Sequence, residues 1–505
     1  MIDEYDVVVV GSGGGALTGA FLAQKAGLST VVVEKTALLG GTSAYSGGAC
    51  WLPGSDVQQR AGIPDSTESA REYLAAILVD PDEGKVEAFL AHAPELVAEL
   101  EADDAIDFEW LPFPEYYDAP GRVPFGRSIQ PTNVKRGDLP ERIGALVRPP
   151  VERDRAGEGG RNTLSGGQAL IARLLDGFLR DGGTVLTELP VTGLVLDGDR
   201  VAGVAGMTPE GPVEIRARRG VLVAAGGFEG NATLRKEHGV PGDVSWTMAP
   251  AGTNTGEPIE AGAALGAATD FRGVGWFCPG LEQPDGGGSF TLGFRSGLMV
   301  DAHGHRYANE SLPYDRFGRE MAKAPERIPS WFVFDSREGG RLPAIAMPEG
   351  DPAAHLEAGT WVRADSIREL ADAIGVPADE LVATVDRFNG FCETGVDTDF
   401  GRGNDEYDTF FAGGEGPNKA LTPCVQAPFH AARFVLSDLG TKGGLVTDER
   451  GRVLRQDGSH IPGLYAASNS AASVFGTVYP GPGAPLGSAM VFASLAVRDL
   501  ATSTS

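Results

Sequence analysis

The sequence predicts an α/β protein in which a Rossmann-like dinucleotide-binding domain is interrupted by an inserted α+β domain. Three observations carry this prediction. A strand–helix–strand pattern with a glycine-rich turn opens the chain, short apolar strands ending in small residues return at 220–227 and 461–467, and this alternation is lost from about residue 275 to 437. We therefore expect the first domain in two parts, 1–274 and 438–505, around an inserted domain at 275–437.

The strand–helix–strand pattern comes first in the chain. Residues 5–10, YDVVVV, form the apolar and β-branched run that is typical of a buried parallel strand. A helix is expected from 17 to 26, and a second apolar strand, 30–33, ends at Glu34. Further helices are predicted near 70–78, 86–101, 366–373, 378–391 and 488–500.

The turn between the first strand and its helix has the residues that a dinucleotide requires. Gly11 permits the tight turn, Gly13 lets the backbone approach a pyrophosphate at the helix N-terminus, and the small Ala16 lets helix and strand pack closely. Glu34 is placed to accept hydrogen bonds from an adenosine ribose, which disfavours the 2′-phosphate of NADP. The residues predicted to hold this part of the cofactor are Gly11, Ser12, Gly13, Gly14, Gly15, Ala16, Glu34 and Lys35.

A second segment rich in glycine and hydroxyl residues favours FAD over NAD. Residues 40–48 read GGTSAYSGG soon after Glu34, where an NAD domain normally continues into another helix. Such a loop supplies backbone N–H groups and hydroxyls to a phosphate or a flavin edge. The helix at 488–500 follows a Gly/Pro loop, so we expect its positive end to face the flavin. The additional cofactor-binding residues predicted are Gly41, Thr42, Ser43, Ser46, Gly47, Gly48, Ala225, Gly226, Asn469, Leu486 and Gly487.

Charge and composition exclude other classes of protein. The 505 residues contain 42 Lys and Arg against 69 Asp and Glu, and the net charge of −27 argues against nucleic acid and anionic membranes as partners. The four cysteines form no CxxC and the histidines show no ligand spacing, so we expect neither a disulfide framework nor a metal site. No apolar run reaches the roughly 18 residues of a transmembrane helix, and no export signal is visible. We expect a cytoplasmic protein.

Eight motifs resemble known flavoproteins. Four of them resemble the fumarate reductase/succinate dehydrogenase flavoprotein superfamily: GSGGGALTGA at 11–20, GGTSAYSGG at 40–48, VLVAAGGFEGN at 221–231 and RYANESLPYDR at 306–316. Four others resemble, within it, the 3-ketosteroid Δ1-dehydrogenases: PFPEYYDAPGR at 112–122, LPYDRFGR at 312–319, SDLGTKGGL at 437–445 and TVYPGPGAPLG at 477–487. The resemblance implies FAD as cofactor and formation of a C1–C2 double bond in the A ring of a 3-ketosteroid. The inserted domain is then the substrate and catalytic domain.

The resemblance assigns the chemistry to tyrosines. Desaturation beside a ketone removes an acidic α-proton, moves a hydride to flavin N5 and develops an enolate that a hydroxyl and a backbone N–H stabilise. Tyr479 and the N–H of Gly483 match the family's carbonyl clamp, and Tyr314 matches its proton acceptor at C2. A phenol serves as a base when another phenol stabilises its anion. Tyr116 matches that helper, with Tyr117 as the alternative.

Several positions concern the cofactor or depart from the family pattern. Val191 stands where related flavoproteins place a backbone contact to adenine. Pro482 and Ala484 replace the glycine and asparagine that relatives tend to carry after Tyr479, and Ser468 replaces a glycine. Because the first glycine turn has no histidine and no other covalent anchor stands out, we expect noncovalent FAD.

Three other functions stay open on the sequence. A 3-oxo-5α-steroid 4-dehydrogenase would share the fold and the flavin but lack the full set of three tyrosines. A soluble fumarate reductase needs arginines and histidines around a dicarboxylate, whereas tyrosines occupy those positions here and the acidic chain repels a dianion. A noncatalytic electron carrier needs no large inserted domain. For the favoured function the partners are a 3-ketosteroid and an unidentified electron acceptor, with a quinone as one candidate; peripheral contact with a membrane stays open.

Overall fold

A computed structural model describes residues 3–502, and the chain divides into two units. Of the described residues, the first unit contains 3–238, 249–274 and 440–502, and the second contains 239–248 and 275–439. The second boundary was predicted after 437, and 239–248 was predicted to belong to the first part. The observed division differs from the predicted one at those two places.

The helices and strands follow in chain order. Up to residue 281 they are β1 (Asp3–Val10), α1 (Gly14–Lys25), β2 (Thr30–Val33), α2 (Gly41–Tyr45), α3 (Asp56–Arg60), α4 (Thr67–Ile77), α5 (Glu83–Glu101), β3 (Phe108–Trp110), β4 (Ile129–Pro131), β5 (Val134–Lys135), α6 (Glu141–Leu146), α7 (Val151–Arg155), β6 (Thr163–Leu164), α8 (Gly167–Arg180), β7 (Thr184–Leu186), β8 (Val191–Asp197), β9 (Arg200–Thr208), β10 (Gly211–Val223), α9 (Ala232–Glu237), α10 (Glu257–Ala264) and β11 (Thr269–Leu281). Beyond it they are β12 (Phe290–Leu292), β13 (Leu298–Val300), α11 (Tyr314–Ala322), β14 (Ser330–Phe334), β15 (Ile345–Met347), α12 (Pro352–Ala358), β16 (Trp361–Ala364), α13 (Ile367–Ile374), α14 (Ala378–Thr394), α15 (Glu406–Phe410), β17 (Phe429–Leu445), β18 (Arg452–Leu454), β19 (His460–Ala466) and α16 (Ala484–Thr502).

An eight-stranded sheet organises the first unit. Its order is β18-β19-β10-β1-β2-β7, and β9 and β8 continue from β10 as an antiparallel ribbon. The strands from β19 to β7 run parallel, and their registers place Val10 beside both Val33 and Val223, and Val223 beside Ala466. The carboxyl ends of four strands therefore lie in one row, which is where ligands bind in open α/β sheets.

Small residues let the helices of the first unit pack closely. Helix α1 contacts α8 and α16. A Cβ added at Gly15 would lie 2.9 Å from that of Ala489, so only glycine permits this approach of α1 to α16. Among the described residues, α16 is the one helix that is long and apolar enough to cross a membrane. Of its most apolar stretch of 18 residues, 67% is buried inside the protein. Such burial is typical of a core helix.

The second unit is built on a five-stranded sheet. Its order is β11-β17-β14-β13, and β16 also pairs with β17. Helices α13 and α14 bury Leu370, Leu381 and Phe388 in one core with Leu298 and Val333 of the sheet. These helices were predicted at 366–373 and 378–391 from their apolar spacing, and both predictions are confirmed.

Three elements differ from the sequence prediction. The strand expected at 220–227 is the end of β10, which begins at Gly211 because its first half pairs with β9 and which stops at Val223. Residues 41–45 form the helical turn α2 inside a segment predicted to be a loop, with Gly40 as its N-cap at φ 112°. The last helix begins at Ala484 rather than at 488.

Candidate active site

The row of strand ends in the first unit brings together most of the predicted cofactor residues. The glycine turn follows Val10, Glu34 follows Val33, and residues 224–226 follow Val223. Gly11 has φ +100°, and a Cβ there would lie 2.5 Å from the carbonyl oxygen of Ala224. Only glycine fits this turn, for both conformational and steric reasons.

The first glycine turn is tied to the second glycine-rich segment. The N–H of Gly14 donates to Ser43 Oγ at 3.1 Å, and the N–H of Gly40 donates to Ser12 Oγ at 3.0 Å. Gly13 is the N-cap of α1, so the positive end of this helix faces the same place. We call residues 11–16 and 40–48 together the cofactor cradle.

Open space lies next to the cofactor cradle. A Cβ added at Gly41 or Gly47 would meet no heavy atom within 4 Å, and one at Gly13 would meet only Ser43 Oγ, at 3.2 Å. Backbone N–H groups, hydroxyls and a helix N-terminus around open space suit a pyrophosphate and a flavin edge, so the residues present fit FAD.

Two predicted cofactor residues of the cradle, Ser46 and Gly48, also have a structural role in the protein. Ser46 Oγ donates to the carbonyl oxygen of Ser43 and accepts from the N–H of Gly48, which holds the end of α2. A Cβ at Gly48 would lie 2.4 Å from the carbonyl carbon of Gly166, so packing explains this glycine.

Glu34 is buried and oriented by the protein's own donors. Its Oε2 accepts from Ser12 Oγ at 2.5 Å, and its Oε1 accepts from the N–H of Thr36 at 2.9 Å. A carboxylate has about four lone-pair sites, so capacity for a ribose hydroxyl is left. The N–H of Leu189 donates to the carbonyl oxygen of Glu34, which brings the chain leading to Val191 near the predicted ribose position.

Two other predicted cofactor residues, Lys35 and Ala225, make hydrogen bonds to residues distant in the chain. Lys35 Nζ donates to Thr255 Oγ1 at 2.6 Å. The N–H of Ala225 donates to Ser470 Oγ at 3.0 Å, in the turn that contains Asn469. Ser468 has φ +61°, a conformation that favours glycine, which is the residue that the family resemblance predicts there.

Further close approaches surround the same edge of the first unit. A Cβ at Gly226 would lie 2.7 Å from Asn254 Nδ2. Leu486 Cδ2 lies 2.8 Å from the position of a Gly14 Cβ, and a Cβ at Gly487 would lie 2.4 Å from the carbonyl oxygen of Trp51. The first turn of α16 is therefore packed against the start of α1.

Two buried phenols meet in the first unit. The ring centroids of Tyr116 and Tyr479 are 5.1 Å apart with an interplanar angle of 59°, and their exposures are 1% and 2%. The alternative helper, Tyr117, is half-buried, and its N–H donates to Tyr73 Oη at 3.1 Å. Of the two candidate residues, Tyr116 makes this ring contact.

Tyr479 lies in a loop, residues 477–483, that we call the clamp loop. Several backbone carbonyl groups of this loop accept hydrogen bonds from other parts of the first unit. Pro480 O accepts from the N–H of Tyr116 at 3.1 Å and from Tyr73 Oη at 2.7 Å. Pro482 O accepts from Ser128 Oγ at 2.6 Å. Burial raises the pKa of the Tyr73 phenol, so it stays a neutral donor.

The end of the clamp loop requires glycine. Gly483 O accepts from the N–H of Trp51 at 3.1 Å and from that of Gly487 at 2.9 Å. Gly483 has φ +82°, and a Cβ there would lie 2.2 Å from the carbonyl oxygen of Ala49. The prolines of this loop remove N–H groups only at positions 480 and 482, so Gly483 keeps the N–H that the predicted clamp uses.

A buried ion cluster includes Glu115, the residue directly before Tyr116. Arg127 Nε donates to Glu115 Oε1 at 2.7 Å and Nη1 donates to Asp65 Oδ1 at 2.8 Å, and all three side chains have 0% exposure. Trp51 Nε1 also donates to Glu115 Oε1, at 2.9 Å. The residue before Tyr116 is thus fixed from several directions.

Another buried carboxylate, Glu229, joins separate segments of the first unit. Its Oε2 accepts from the N–H and the hydroxyl of Thr441, both at 3.1 Å, and its Oε1 accepts from Asn254 Nδ2 at 2.5 Å. Glu229 lies in the motif at 221–231, but the sequence alone predicts no role for it. Its partners lie 25 and 212 residues away, and no local pattern reveals them.

Tyr314 begins helix α11 in the second unit. It is 5% exposed, and its ring contacts that of Phe290 edge-on with centroids 4.7 Å apart. The next residue, Asp315, is fully buried and accepts from the N–H of Phe277 at 3.2 Å and from Arg319 Nε at 2.6 Å. These contacts fix the start of α11, and with it the Tyr314 backbone.

The comparisons with known proteins agree with the cofactor cradle. The model of the FAD binding domain family matches residues 6–486, and the chain belongs to this family of flavoproteins. Its fold is the one found in the fumarate reductase and succinate dehydrogenase flavoproteins. FAD, predicted from the sequence, is therefore confirmed.

Particular relatives are steroid enzymes. The chain is 42% identical to 3-oxosteroid 1-dehydrogenase of Rhodococcus opacus over 99% of both chains. It is 38% identical to the enzyme of the same name from Mycolicibacterium smegmatis, over 99% of this chain and 97% of the other. A crystal structure of 3-ketosteroid Δ1-dehydrogenase from Sterolibacterium denitrificans in complex with 1,4-androstadiene-3,17-dione is similar with a TM-score of 0.88 and 30% identity, covering 99% of this chain and 100% of that one. The resemblance stated from the motifs is confirmed.

Proposed function

We propose that this chain is an FAD-dependent 3-oxosteroid 1-dehydrogenase, an oxidoreductase that introduces a C1–C2 double bond into the A ring of a 3-ketosteroid. Relatives with that name are 38–42% identical over nearly their full length. Within the chain, the observation that supports the proposal best is the contact of Tyr116 with Tyr479 at the start of the clamp loop. Phenol O–H groups in a buried site are good donors to a developing enolate.

The clamp loop supplies the oxyanion site. We assign the Tyr479 hydroxyl and the Gly483 N–H to the C3 ketone oxygen, whose negative charge grows as the C2 proton leaves. The loop carbonyls are already bonded to Tyr116, Tyr73, Ser128 and Trp51, so these two donors need little reorganisation during the reaction. The cofactor cradle would hold FAD, which would supply the acceptor for the hydride that leaves C1.

The second unit supplies the proton acceptor in this proposal. Tyr314 is the first residue of α11, so the positive end of the helix macrodipole lies beside the residue that we assign as the proton acceptor. The predicted partnership of Tyr314 with Tyr116 stays a prediction.

We assign the two units to different tasks. The parallel strands and the cofactor cradle support a Rossmann-like FAD domain for the first unit, with FAD bound noncovalently. The second unit is then the inserted α+β substrate and catalytic domain. The electron acceptor that reoxidises the flavin stays a prediction, with a quinone as the candidate, and so does the cytoplasmic location.

Product analysis tests the proposal. Purified yellow protein is incubated with 4-androstene-3,17-dione deuterated at C1 and C2 and with a dye as electron acceptor. We expect a product that has lost one label from each carbon and has gained a 1,4-diene, seen by mass spectrometry and NMR. A parallel incubation with a 5α-saturated 3-ketosteroid tests the C4–C5 alternative.

The other functions give different results. A C4–C5 product alone identifies the 4-dehydrogenase, and oxidation of a reduced dye by fumarate identifies the reductase. If the flavin spectrum does not bleach when a 3-ketosteroid is added without oxygen, the chain is a flavin carrier and the proposal is wrong.

A further inference from the structure

Arg148 is a buried arginine of the first unit whose side chain is linked to Glu34 by hydrogen bonds. It is 6% exposed. Its backbone is fixed on both sides, because its N–H donates to Leu39 O at 3.0 Å and its carbonyl oxygen accepts from Gln168 Nε2 at 2.6 Å. The guanidinium therefore extends from a fixed position beside the residue that precedes the cradle segment 40–48.

The link from the guanidinium to Glu34 passes through Thr36. Nη2 of Arg148 donates to Thr36 Oγ1 at 2.7 Å and to Leu38 O at 3.3 Å. The Thr36 hydroxyl has one proton and two acceptors within reach, Glu34 Oε1 at 3.0 Å and Leu38 O at 2.8 Å. Because Nη2 carries two protons, Arg148 satisfies Leu38 O as well, and the hydroxyl proton of Thr36 is left for Glu34.

The other arm of the guanidinium holds the cofactor cradle. Nη1 donates to Asp154 Oδ2 at 2.6 Å, and that carboxylate oxygen also accepts from the hydroxyl of Tyr45 in α2. Tyr45 belongs to the cradle segment 40–48. Arg148 thus connects the carboxylate predicted to bind the ribose with the segment predicted to bind a phosphate or the flavin edge, each through one intermediate residue.

We propose that Arg148 is a positioning residue of the cofactor site, which orients Glu34 towards the 2′-hydroxyl of the adenosine ribose of bound FAD. The direction of the carboxylate matters because a hydrogen bond weakens steeply as its angle departs from linear. Arginine suits this task, since two nitrogens of one rigid plane serve two partners at once. The inference rests on the predicted ribose contact of Glu34, which is the usual role of an acidic residue at this place in the fold. It does not depend on the steroid.

Two substitutions interrupt the path from Arg148 to the carboxylate at different points. Arg148→Met removes the guanidinium and keeps an unbranched side chain, whereas Thr36→Val removes the hydroxyl and keeps its shape. Thr36→Ser keeps the hydroxyl. Arg173→Met is the matched control, because Arg173 also donates to a threonine hydroxyl, Thr132 Oγ1 at 2.6 Å, and to backbone carbonyl groups. Thr132 is not a predicted cofactor residue.

The test is a competition between two cofactors for the same protein. The FAD-loaded full chain is dialysed to equilibrium against a mixture of FAD and its analogue that lacks the 2′-hydroxyl of the adenosine ribose. The flavins that stay bound are released by denaturation, and their ratio is measured by chromatography. A loss of stability or of overall affinity affects both cofactors equally, so an arginine with a merely structural role does not change this ratio.

We expect the wild type, Thr36→Ser and Arg173→Met to prefer FAD by about tenfold or more, as for a hydrogen bond to a charged group. Arg148→Met and Thr36→Val should each lower this preference to about threefold or less, because the carboxylate is then poorly aligned. Both changes act on the same carboxylate, so the double variant should have the same low preference as either single variant. A loss in Arg173→Met as large as that in Arg148→Met overturns the inference.

Glu34→Ala shows which idea fails. If that variant loses the preference for FAD, and Arg148→Met or Thr36→Val keeps it, the inference about Arg148 is overturned and the ribose contact of Glu34 stands. If the wild type does not prefer FAD, or if Glu34→Ala keeps the preference, Glu34 does not bind the 2′-hydroxyl and the inference is wrong with it. Neither result concerns the steroid, so the proposed dehydrogenase activity is tested separately by product analysis.

Discussion

The cofactor cradle and the clamp loop lie in the same unit but are built in different ways. The cradle depends on local backbone geometry: Gly11 and Gly40 adopt positive φ, and helix N-termini follow them directly. The clamp loop depends on donors from distant parts of the chain. Tyr73 reaches Pro480 across 407 residues and Ser128 reaches Pro482 across 354.

This difference separates binding of the cofactor from turnover. A change in the cradle alters a turn that the fold itself needs, so stability and FAD binding should be lost together. A change among the donors to the clamp loop leaves the cradle intact, so the protein should stay yellow while its turnover falls. The predictions below test this separation.

The largest effect is expected for Gly11→Ala. The added Cβ would lie 2.5 Å from Ala224 O and 2.7 Å from Ala225 Cα, both backbone atoms, at a φ of +100°. We expect the free energy of unfolding to fall by about 4 kcal/mol or more, with loss of FAD. Gly27→Ala is the matched control, because Gly27 has φ +78° but its added Cβ meets nothing within 4 Å. That variant should lose about 1 kcal/mol and keep its flavin; equal losses in urea unfolding would refute the steric argument.

The second-largest effect is expected for Arg127→Met. It leaves Glu115 and Asp65 as uncompensated buried charges, so we expect a loss of about 3–4 kcal/mol in the free energy of unfolding. Burial already raises the pKa of Asp65. The folded variant should therefore bind protons more readily than its unfolded chain, and its stability relative to the wild type should improve as the pH falls from 7 towards 5.

Arg71→Met is the control for this substitution. Arg71 pairs with Glu87 at 2.8 Å, but the two side chains are 42% and 52% exposed, so we expect less than about 1 kcal/mol of destabilisation. Flavin content should stay normal in both variants when the protein is folded. If Arg127→Met instead loses FAD before it unfolds, the cradle and the clamp loop are not separate.

The backbone turns of the cradle could be predicted from the sequence because their geometry is local. Gly11, Gly13 and Ala16 each have a defined task in a turn of six residues, and Glu34 is placed by the strand that precedes it. What the sequence did not predict is which contacts these residues make inside the protein. Glu34 accepts from Ser12, which depends on tertiary packing.

The supports of the clamp loop could not be predicted from the sequence. Tyr73 and Ser128 carry no motif of their own, and their partners are known only when the fold brings 477–483 beside them. Tyr116 and Tyr479 were assigned through resemblance to a family, and composition alone did not single them out.

Loss of a single phenol hydroxyl should affect turnover more than stability. For Tyr479→Phe we expect kcat to fall by about 100-fold, as for removal of one oxyanion donor. Tyr116→Phe should lower kcat less, by about tenfold, if its hydroxyl acts on Tyr314 as the predicted helper rather than on the substrate. Both proteins should keep FAD, measured by flavin absorbance, and should unfold within about 1 kcal/mol of the wild type. If the Tyr479→Phe variant has a normal kcat, the oxyanion site does not lie in the clamp loop.

The smallest effect is expected for Tyr73→Phe, and it tests the separation most directly. The change removes the 2.7 Å bond to Pro480 O and the acceptor for the N–H of Tyr117, while the ring stays to pack against Trp51. We expect about 1–2 kcal/mol of destabilisation. Turnover should fall by about fivefold, because Tyr479 precedes the carbonyl that is released. Tyr465→Phe removes another tyrosine hydroxyl bond, the one from strand β19 of the eight-stranded sheet to Asp499. It should cost similar stability and leave kcat unchanged, so equal kcat values in the two variants would mean that the clamp loop does not depend on its distant donors.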